Sequence, residues 1–592
     1  MLHLDVPGGS PAPSPLRIAE DQYALLAATH PRGIADAVSD RGMHAVIEGF
    51  FRFSDTNLAS IANTAGAARA LIAGHASHGP RVLTLVDGAF SLAIWNADRR
   101  ELLLATDRFG IRPVVFAPVQ DGIAFSSDAN ALRAHPLVRA TLDPQAIFDY
   151  LYFSAIPSPY TIYREVRRLE PAQYLLWRDG QSRTERYWTP AFQYAGDNVD
   201  SLNGALHRVL GDAVARCDPD KTAGAFLSGG LDSSTVSGML ARHQVGAART
   251  FTIGFDAEGY DEIGYARIAA KHFGNAAHEY YVTPRDVAET IDRIARAYDE
   301  PFGNSSAVPT YYCAKLAAET GVSVMLAGDG GDEIFAGNER YAKQKVFESY
   351  FRLPRALRSG LVEPLALHMP FGEQLFPVRK LRRYIEQARV PLPDRLQTYN
   401  FLQMTPHADI FSPEFLRGIN AQRPLQLLRE EYARVDAGAV DRMLYLDWKF
   451  TLADNDLRKV TVMCEQAGIE VRYPMLDNGV VEFSTRVPPH LKLPGFRLRH
   501  FYRAAMRGFL PDEILSKPKH GFGLPFGVWL ATSPELMAIA DESFAAMRKR
   551  GIFLPAYLDD VLRRHRTEHA GFYGTMVWLI VVLEKWLAAH RL

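Results

Sequence analysis

The sequence predicts an α/β protein of two domains: a β-rich sandwich domain, then a doubly wound parallel sheet with helical additions. Three observations predict it. The chain has 592 residues, more than one ordinary core organises. Up to about Trp188, short apolar runs face one another across turn residues, the pattern of antiparallel strands. Beyond residue 200, short apolar strands alternate with segments of helical periodicity, the pattern of a parallel sheet covered by helices.

The elements follow in order. Residues 90–95 form an apolar strand, residues 96–100 a turn, and residues 101–105 a returning strand, so the three make a hairpin. Residues 122–126 read as another short strand. Residues 190–200 are polar, aperiodic and hold Gly196, which marks a linker and divides the chain into domains 1–195 and 196–592. Leu202, Leu206, Val209, Leu210, Ala213, Val214 and Cys217 then recur at helical spacing. Residues 223–227 are a strand, and a helix starts near Ser233. The strand at residues 251–255 is followed by helices near 261–273 and 285–298, with a strand at 279–282 between them. Residues 322–327 are a further strand, and helical patterns dominate from about 340. The apolar run at 576–583 falls short of the roughly 20 residues that span a bilayer. It reads as a buried C-terminal helix, with no membrane insertion.

Composition narrows the function. Lys and Arg number 66 against 67 Asp and Glu, so the net charge is −1 and no global basic field exists for nucleic acid. Cys217, Cys313 and Cys464 neither build a disulfide framework nor have zinc-site spacing. The first residues carry no basic segment followed by an apolar one, as a signal peptide would. A reducing cytoplasm is the expected compartment.

The strongest signal is Ser228-Gly229-Gly230-Leu231-Asp232-Ser233-Ser234, placed between a buried strand and a helix. Its glycines let backbone N–H groups approach an anion, and the helix N-terminus adds a positive dipole end. Ser228, Ser233 and Ser234 are neutral donors to phosphate oxygens. Asp232 suits a Mg²⁺ that bridges the phosphates. The loop has no lysine, unlike the P-loop that ends in Gly-Lys-Ser/Thr. A second loop, Gly328-Asp329-Gly-Gly-Asp332-Glu333, also follows a strand. Asp332 can offer that Mg²⁺ a second carboxylate. Asp329 can act as a base or position an amine.

The heptad resembles the PP-loop of ATP pyrophosphatases, which cleave ATP between its α- and β-phosphates. Further segments extend the likeness: Asp87-Gly-Ala-Phe-Ser-Leu-Ala-Ile-Trp95, Asp107-Arg-Phe-Gly-Ile-Arg-Pro113, Phe125-Ser-Ser-Asp128, Phe251-Thr-Ile-Gly-Phe255, Glu300-Pro-Phe-Gly-Asn-Ser-Ser-Ala307, Glu470-Val-Arg-Tyr-Pro-Met-Leu-Asp477 and Lys517-Pro-Lys-His-Gly-Phe522. With these the chain resembles the asparagine synthetase family. The resemblance implies a first domain like an N-terminal-nucleophile hydrolase, a HUP-like synthetase domain, and ATP and Mg²⁺ as cofactors. It implies that Leu227 and Ile253 line an adenine pocket with Ala327 and Gly328 at its edge. By the same resemblance the heptad holds pyrophosphate, and Asp232 and Asp332 hold Mg²⁺. Lys519 matches the family's lysine before a Gly-Phe pair and would neutralise charge developing on phosphate or oxyanion.

The chain also departs from that family. Its glutaminase uses a cysteine directly after the initiator Met, whereas Leu2 stands here and no cysteine precedes Cys217. The glutamine-holding Asn-Gly-Glu motif appears as Glu48-Gly49-Phe50, and small residues at 65–68 replace a downstream acid. The first domain is therefore expected to be an inactive scaffold, and the amine must come from elsewhere. β-Lactam-type synthetases carry a tyrosine where Asp329 stands, which argues against them. An Asp followed by a basic residue is replaced by Thr461-Val462-Met463-Cys464, which argues against free aspartate as substrate. The expected function is an ATP-dependent amide ligase that adenylates a side-chain carboxylate. It would then close a macrolactam in a lasso-type peptide, with a leader-processing protease as partner. The alternatives are an ammonia-dependent asparagine synthetase, or another small-molecule amide synthetase, and a non-catalytic nucleotide-binding scaffold.

Overall fold

The computed structural model describes residues 17–20, 24–28, 34–120, 122–194, 196, 199–364, 376–518 and 523–592. Strands β1 (Arg17–Glu20) and β2 (Leu25–Ala28) form a small hairpin. The first domain is built around β3 (Ile34–Asp40), β4 (Met43–Phe53), β5 (Val86–Asn96) and β6 (Glu101–Thr106). A three-stranded sheet holds β7 (Val115–Val119), β8 (Gly122–Ser126) and β9 (Arg167–Arg168). Strands β10 (Gln173–Arg178) and β11 (Gln181–Arg186) complete a six-stranded antiparallel sheet in the order β11-β10-β6-β5-β4-β3.

The apolar run at 90–95 has a simple cause. Successive strand side chains point to opposite faces, and here both faces are buried. Leu92 and Ile94 pack with Leu71 and Val82 under the helices Thr56–Ala65 and Ala67–His78. Ala93 and Trp95 join Leu104, Leu175 and Trp177 on the other face. The segment from Asp107 to Pro113 is structural. The buried Asp107 carboxylate accepts from the backbone N–H of Phe109 (2.9 Å), Ile111 (3.1 Å) and Arg112 (2.9 Å), which folds the turn around it.

The second domain contains β12 (Gly224–Phe226), β13 (Arg249–Phe255), β14 (Ala276–Val282), β15 (Val324–Leu326) and β16 (Glu470–Arg472). All pairings are parallel, in the order β14-β13-β12-β15-β16. The chain leaves β12 towards one edge and later returns to its other side at β15. The β12/β15 pair is therefore the topological switch point, where open α/β sheets bind ligands beyond the carboxyl ends of their strands. The heptad follows β12 and the second acidic loop follows β15, so the two loops emerge side by side.

The C-terminal helix is longer than its apolar run: it spans Ala570–Ala589, 20 residues. That is long and apolar enough to cross a membrane, but protein covers it. The Trp578 indole N–H donates to the Gly303 carbonyl (2.9 Å) and the Trp586 indole to Tyr298 (3.0 Å). The Tyr150 hydroxyl of the first domain donates to Leu579 (2.9 Å). It is a core helix, and one hydrophobic core runs from Phe109 through the synthetase sheet to Leu587.

Candidate active site

A cavity of about 480 Å³ opens at the switch point, within the range of small-molecule sites. Leu227, Ile253, Phe251, Pro309 and Cys313 supply its apolar wall. Ser228, Gly230, Leu231, Asp232 and Ser233 line it from the heptad, and Gly328, Asp329 and Asp332 from the second loop. Gly229, Ser234 and Ala327, also predicted for the site, do not line it. Gly229 turns the loop at φ +68°, and a Cβ there would sit 2.5 Å from the Ala266 nitrogen. Only glycine fits that position. Ser234 is fully buried in the helix Leu231–His243. The Ala327 N–H donates to Arg472 (2.9 Å) and ties β15 to β16.

Hydrogen bonds within the loop preorganise it. The Ser228 and Ser233 hydroxyls lie 3.0 Å apart, the Ser228 N–H donates to Ser233 Oγ (3.2 Å), and the Ser233 hydroxyl reaches the Gly230 carbonyl (3.3 Å). Lysine reaches this loop from far along the chain. The Lys517 ammonium donates to the carbonyl of Gly229 (3.4 Å), pairs with Glu262 (3.0 Å) and lies over the Tyr265 ring. Lys519, singled out by the family resemblance, lies outside the described residues.

Asp232 and Asp332 converge on one cation. The Arg499 Nη1 group bonds both carboxylates, at 3.0 Å to Asp332, and Nη2 bonds Asp232 at 2.5 Å. Glycines keep this space open. A Cβ at Gly331 would lie 2.0 Å from Asp232 Oδ1, and one at Gly337 1.8 Å from Asp332 Oδ1. Among the described residues no group of three or more His, Cys, Asp or Glu forms a metal cage. Two carboxylates beside a phosphate loop suit Mg²⁺, which keeps waters and takes one or two carboxylates plus substrate phosphates. The donors present therefore fit Mg²⁺ carried by a triphosphate.

Asp329 sits deeper. Burial pushes its carboxyl up to about 6; nearby Lys459 opposes this and Asp456 adds to it. Lys459 is paired with Asp456 at 2.8 Å, and the Asn304 amide donates to Asn455 (2.7 Å) and Asp456 (3.3 Å). Asn455, Asp456 and Lys459 come from a helix that changes pitch. The α-helices Ala439–Asp447 and Leu457–Gln466 are joined by a π-helical stretch, Trp448–Asp456. Such stretches often mark functional sites.

Sequence reasoning missed Arg499, Arg503, Glu262, Asp456, Asn304 and the role of Lys517. Asn304, Lys459 and Lys517 lay in or beside segments that carried the family likeness. Arg499 and Glu262 had no local signal.

The chain matches the asparagine synthase family over residues 205–588 and the glutamine amidotransferase domain over residues 56–188. It is 26% identical over 476 residues to glutamine-hydrolysing asparagine synthetase 1 of Bacillus subtilis, covering 79% of this chain and 72% of that one. Asparagine synthetase 3 of the same organism is 25% identical over 451 residues, covering 73% and 67%. The amidase chyE of Penicillium rubens is 23% identical over 539 residues, covering 83% and 78%. The first domain is thus of the N-terminal-nucleophile hydrolase type and the second is the α/β synthetase. The switch-point cavity, the two acidic loops and these matches agree: the chain belongs to the asparagine synthase family and is an ATP-dependent carbon–nitrogen ligase of the asparagine synthetase type.

Proposed function

We propose that the ligase joins a side-chain carboxylate of a peptide substrate to the same peptide's N-terminal amine, closing a macrolactam in a lasso-type peptide. The carrying observation is the segment that follows the cavity residues Lys459 and Val460. Where the family carries an Asp followed by a basic residue, this chain has the uncharged Thr461-Val462-Met463-Cys464. Thr461 and the buried Tyr473, whose hydroxyls are 2.8 Å apart, do not line the cavity. The acid and base that mark recognition of free aspartate in the family are therefore missing from this segment.

The steps follow from the residues. The substrate carboxylate attacks the α-phosphorus of ATP, the bond to the β-phosphate oxygen breaks, and pyrophosphate leaves into the Ser228–Ser233 loop. Magnesium held by Asp232 and Asp332 would neutralise charge on the triphosphate. The amine attacks the acyl carbon, AMP departs, and the Asp329 carboxylate takes the amine proton. A carboxyl near pH 6 is well matched to that task. Enclosing the mixed anhydride protects it from water.

The first domain is a scaffold in this reading. Gly66 joins the helices Thr56–Ala65 and Ala67–His78, and Asp36 caps the second by accepting from the Ala68 N–H (2.9 Å). A larger residue at Gly66 would strike Asp36, 2.6 Å from its Cβ. Small residues there serve that junction. All three cysteines are buried, with their thiols pushed up by desolvation, Cys217 to about 12. A leader-processing protease would supply the free N-terminus.

The test is incubation with Mg-ATP and candidate peptides bearing an internal Asp or Glu. The expected product is lighter by one water, with AMP and pyrophosphate in equal amounts. Amide formation from aspartate and ammonium alone would replace this reading with an ammonia-dependent asparagine synthetase. ADP as product would overturn adenylation.

A further inference from the structure

Arg499 is placed unlike an ordinary surface arginine. It is 3% exposed and its guanidinium bonds the two carboxylates that suit Mg²⁺. Burial would lower its proton affinity, but Asp232 and Asp332 more than offset this, so the charge is fixed. The ring of Tyr502 lies 4.3 Å from the guanidinium carbon and backs it from the side. Among the described residues the Nε–H has no hydrogen-bond partner, and the Nη groups bond the two aspartates. The backbone is strained at this point. Arg499 has φ +53°, and its N–H donates to Ala336 (3.3 Å), itself at φ +61°. Left-handed backbone at non-glycine residues is costly and persists only where surroundings impose it.

One oxygen of Asp232 and one of Asp332 both contact Nη1. A Mg²⁺ bound to those two oxygens would sit at about 2.1 Å from each. On the guanidinium side of the pair it would meet a like charge at the place Nη1 now takes. Cation and arginine therefore compete for these two oxygens.

We propose that Arg499 is an exchangeable internal counter-ion: it neutralises Asp232 and Asp332 until Mg-ATP arrives, then yields them to the metal. This rests on the assignment of those aspartates within the ligase reading. It extends that reading by making nucleotide-free protein refuse the metal. The arginine holds the two loops in register with no metal present. Free Mg²⁺ must compete with a buried bidentate ion pair. Mg-ATP prevails because the phosphates compensate the displaced guanidinium, which stays within the same cavity. The two cations thus bind in exclusion, a coupling worth roughly 5–150-fold in such systems.

The experiment measures Mn²⁺ binding to nucleotide-free protein by electron paramagnetic resonance. Wild type should bind Mn²⁺ weakly. Arg499→Gln should bind it at least about tenfold tighter, and adding Asp332→Asn to that variant should remove the gain. Arg499→Lys, a point charge without the guanidinium fork, should fall between and covers the case in which the Gln variant does not fold. Equal Mn²⁺ affinity in wild type and both variants would overturn the exchange while leaving AMP formation by wild type intact. A gained Mn²⁺ site in a protein that never forms AMP would keep the exchange and sink the ligase reading.

Discussion

Asp329 is a single carboxyl on which activity and stability make opposite demands. As the base it must be ionised, so amide formation at saturating ATP should fall as pH drops through about 6. Asp329→Asn should lower that step by about 10²–10⁴-fold, while pyrophosphate exchange from ATP persists. Lys459→Met removes the cation that opposes the shift, so the midpoint of the pH–rate profile should move up. The stability sign is the reverse. A carboxyl raised in the folded state contributes stability below its unfolded pKa and loses it as pH rises through the folded value. Asp329→Asn should therefore raise the Tm at pH 7.5, with the gain fading below about 6. Asp232, Asp329 and Asp332 were legible because each sits in a short loop whose chemistry is local. Arg499 was not: its partner Asp232 is 267 residues away, and one arginine in a helical stretch looks like any other.

Among elements, the strand–loop–helix after β12 depends on one backbone position. Gly229→Ala would place a Cβ against the backbone of Tyr265 and Ala266 at 2.5 Å and force a left-handed alanine. The expected result is a loss of roughly 1–3 kcal/mol, read as a lower Tm, and weaker ATP binding by calorimetry. Elements with strong local patterns were read correctly, such as the hairpin of β5 and β6 and the helix Val199–Cys217. Others were silent. The strand β16 has three residues and exists because Val471 and its neighbours pair with β15 after a long helical excursion. The helices Thr56–Ala65 and Ala67–His78 are short and rich in alanine, so they carry little periodicity. The π stretch had no sequence signature, yet its wider turn lets Lys449 and Asp454, five residues apart, approach to 3.7 Å.

For the whole molecule, ion pairs buried between the domains make stability depend on pH and on keeping both partners. Lys449 of the synthetase pairs with Glu170 of the first domain at 2.7 Å and donates to the Ser158 carbonyl at 2.6 Å. Burial would raise the Glu170 carboxyl, but Lys449 and Arg186 bring it down to about 2. A depressed carboxyl adds stability above its unfolded pKa and loses it as pH falls towards the folded one. Lys449→Met should cost about 3–5 kcal/mol in urea unfolding at neutral pH, and the difference from wild type should shrink below about pH 4. The two-domain plan was legible from length and pattern, but the shared core was not, since no local window shows that Tyr150 meets Leu579. That meeting has a consequence for how the protein is made. Asn130 and Arg133 contact His590, and Tyr150 bonds a carbonyl 429 residues further on. Domains leaving a ribosome usually fold in order of synthesis. Here part of the apolar surface around Tyr150 finds its cover only once the helix Ala570–Ala589 has emerged, so the first domain cannot complete its packing in order of synthesis.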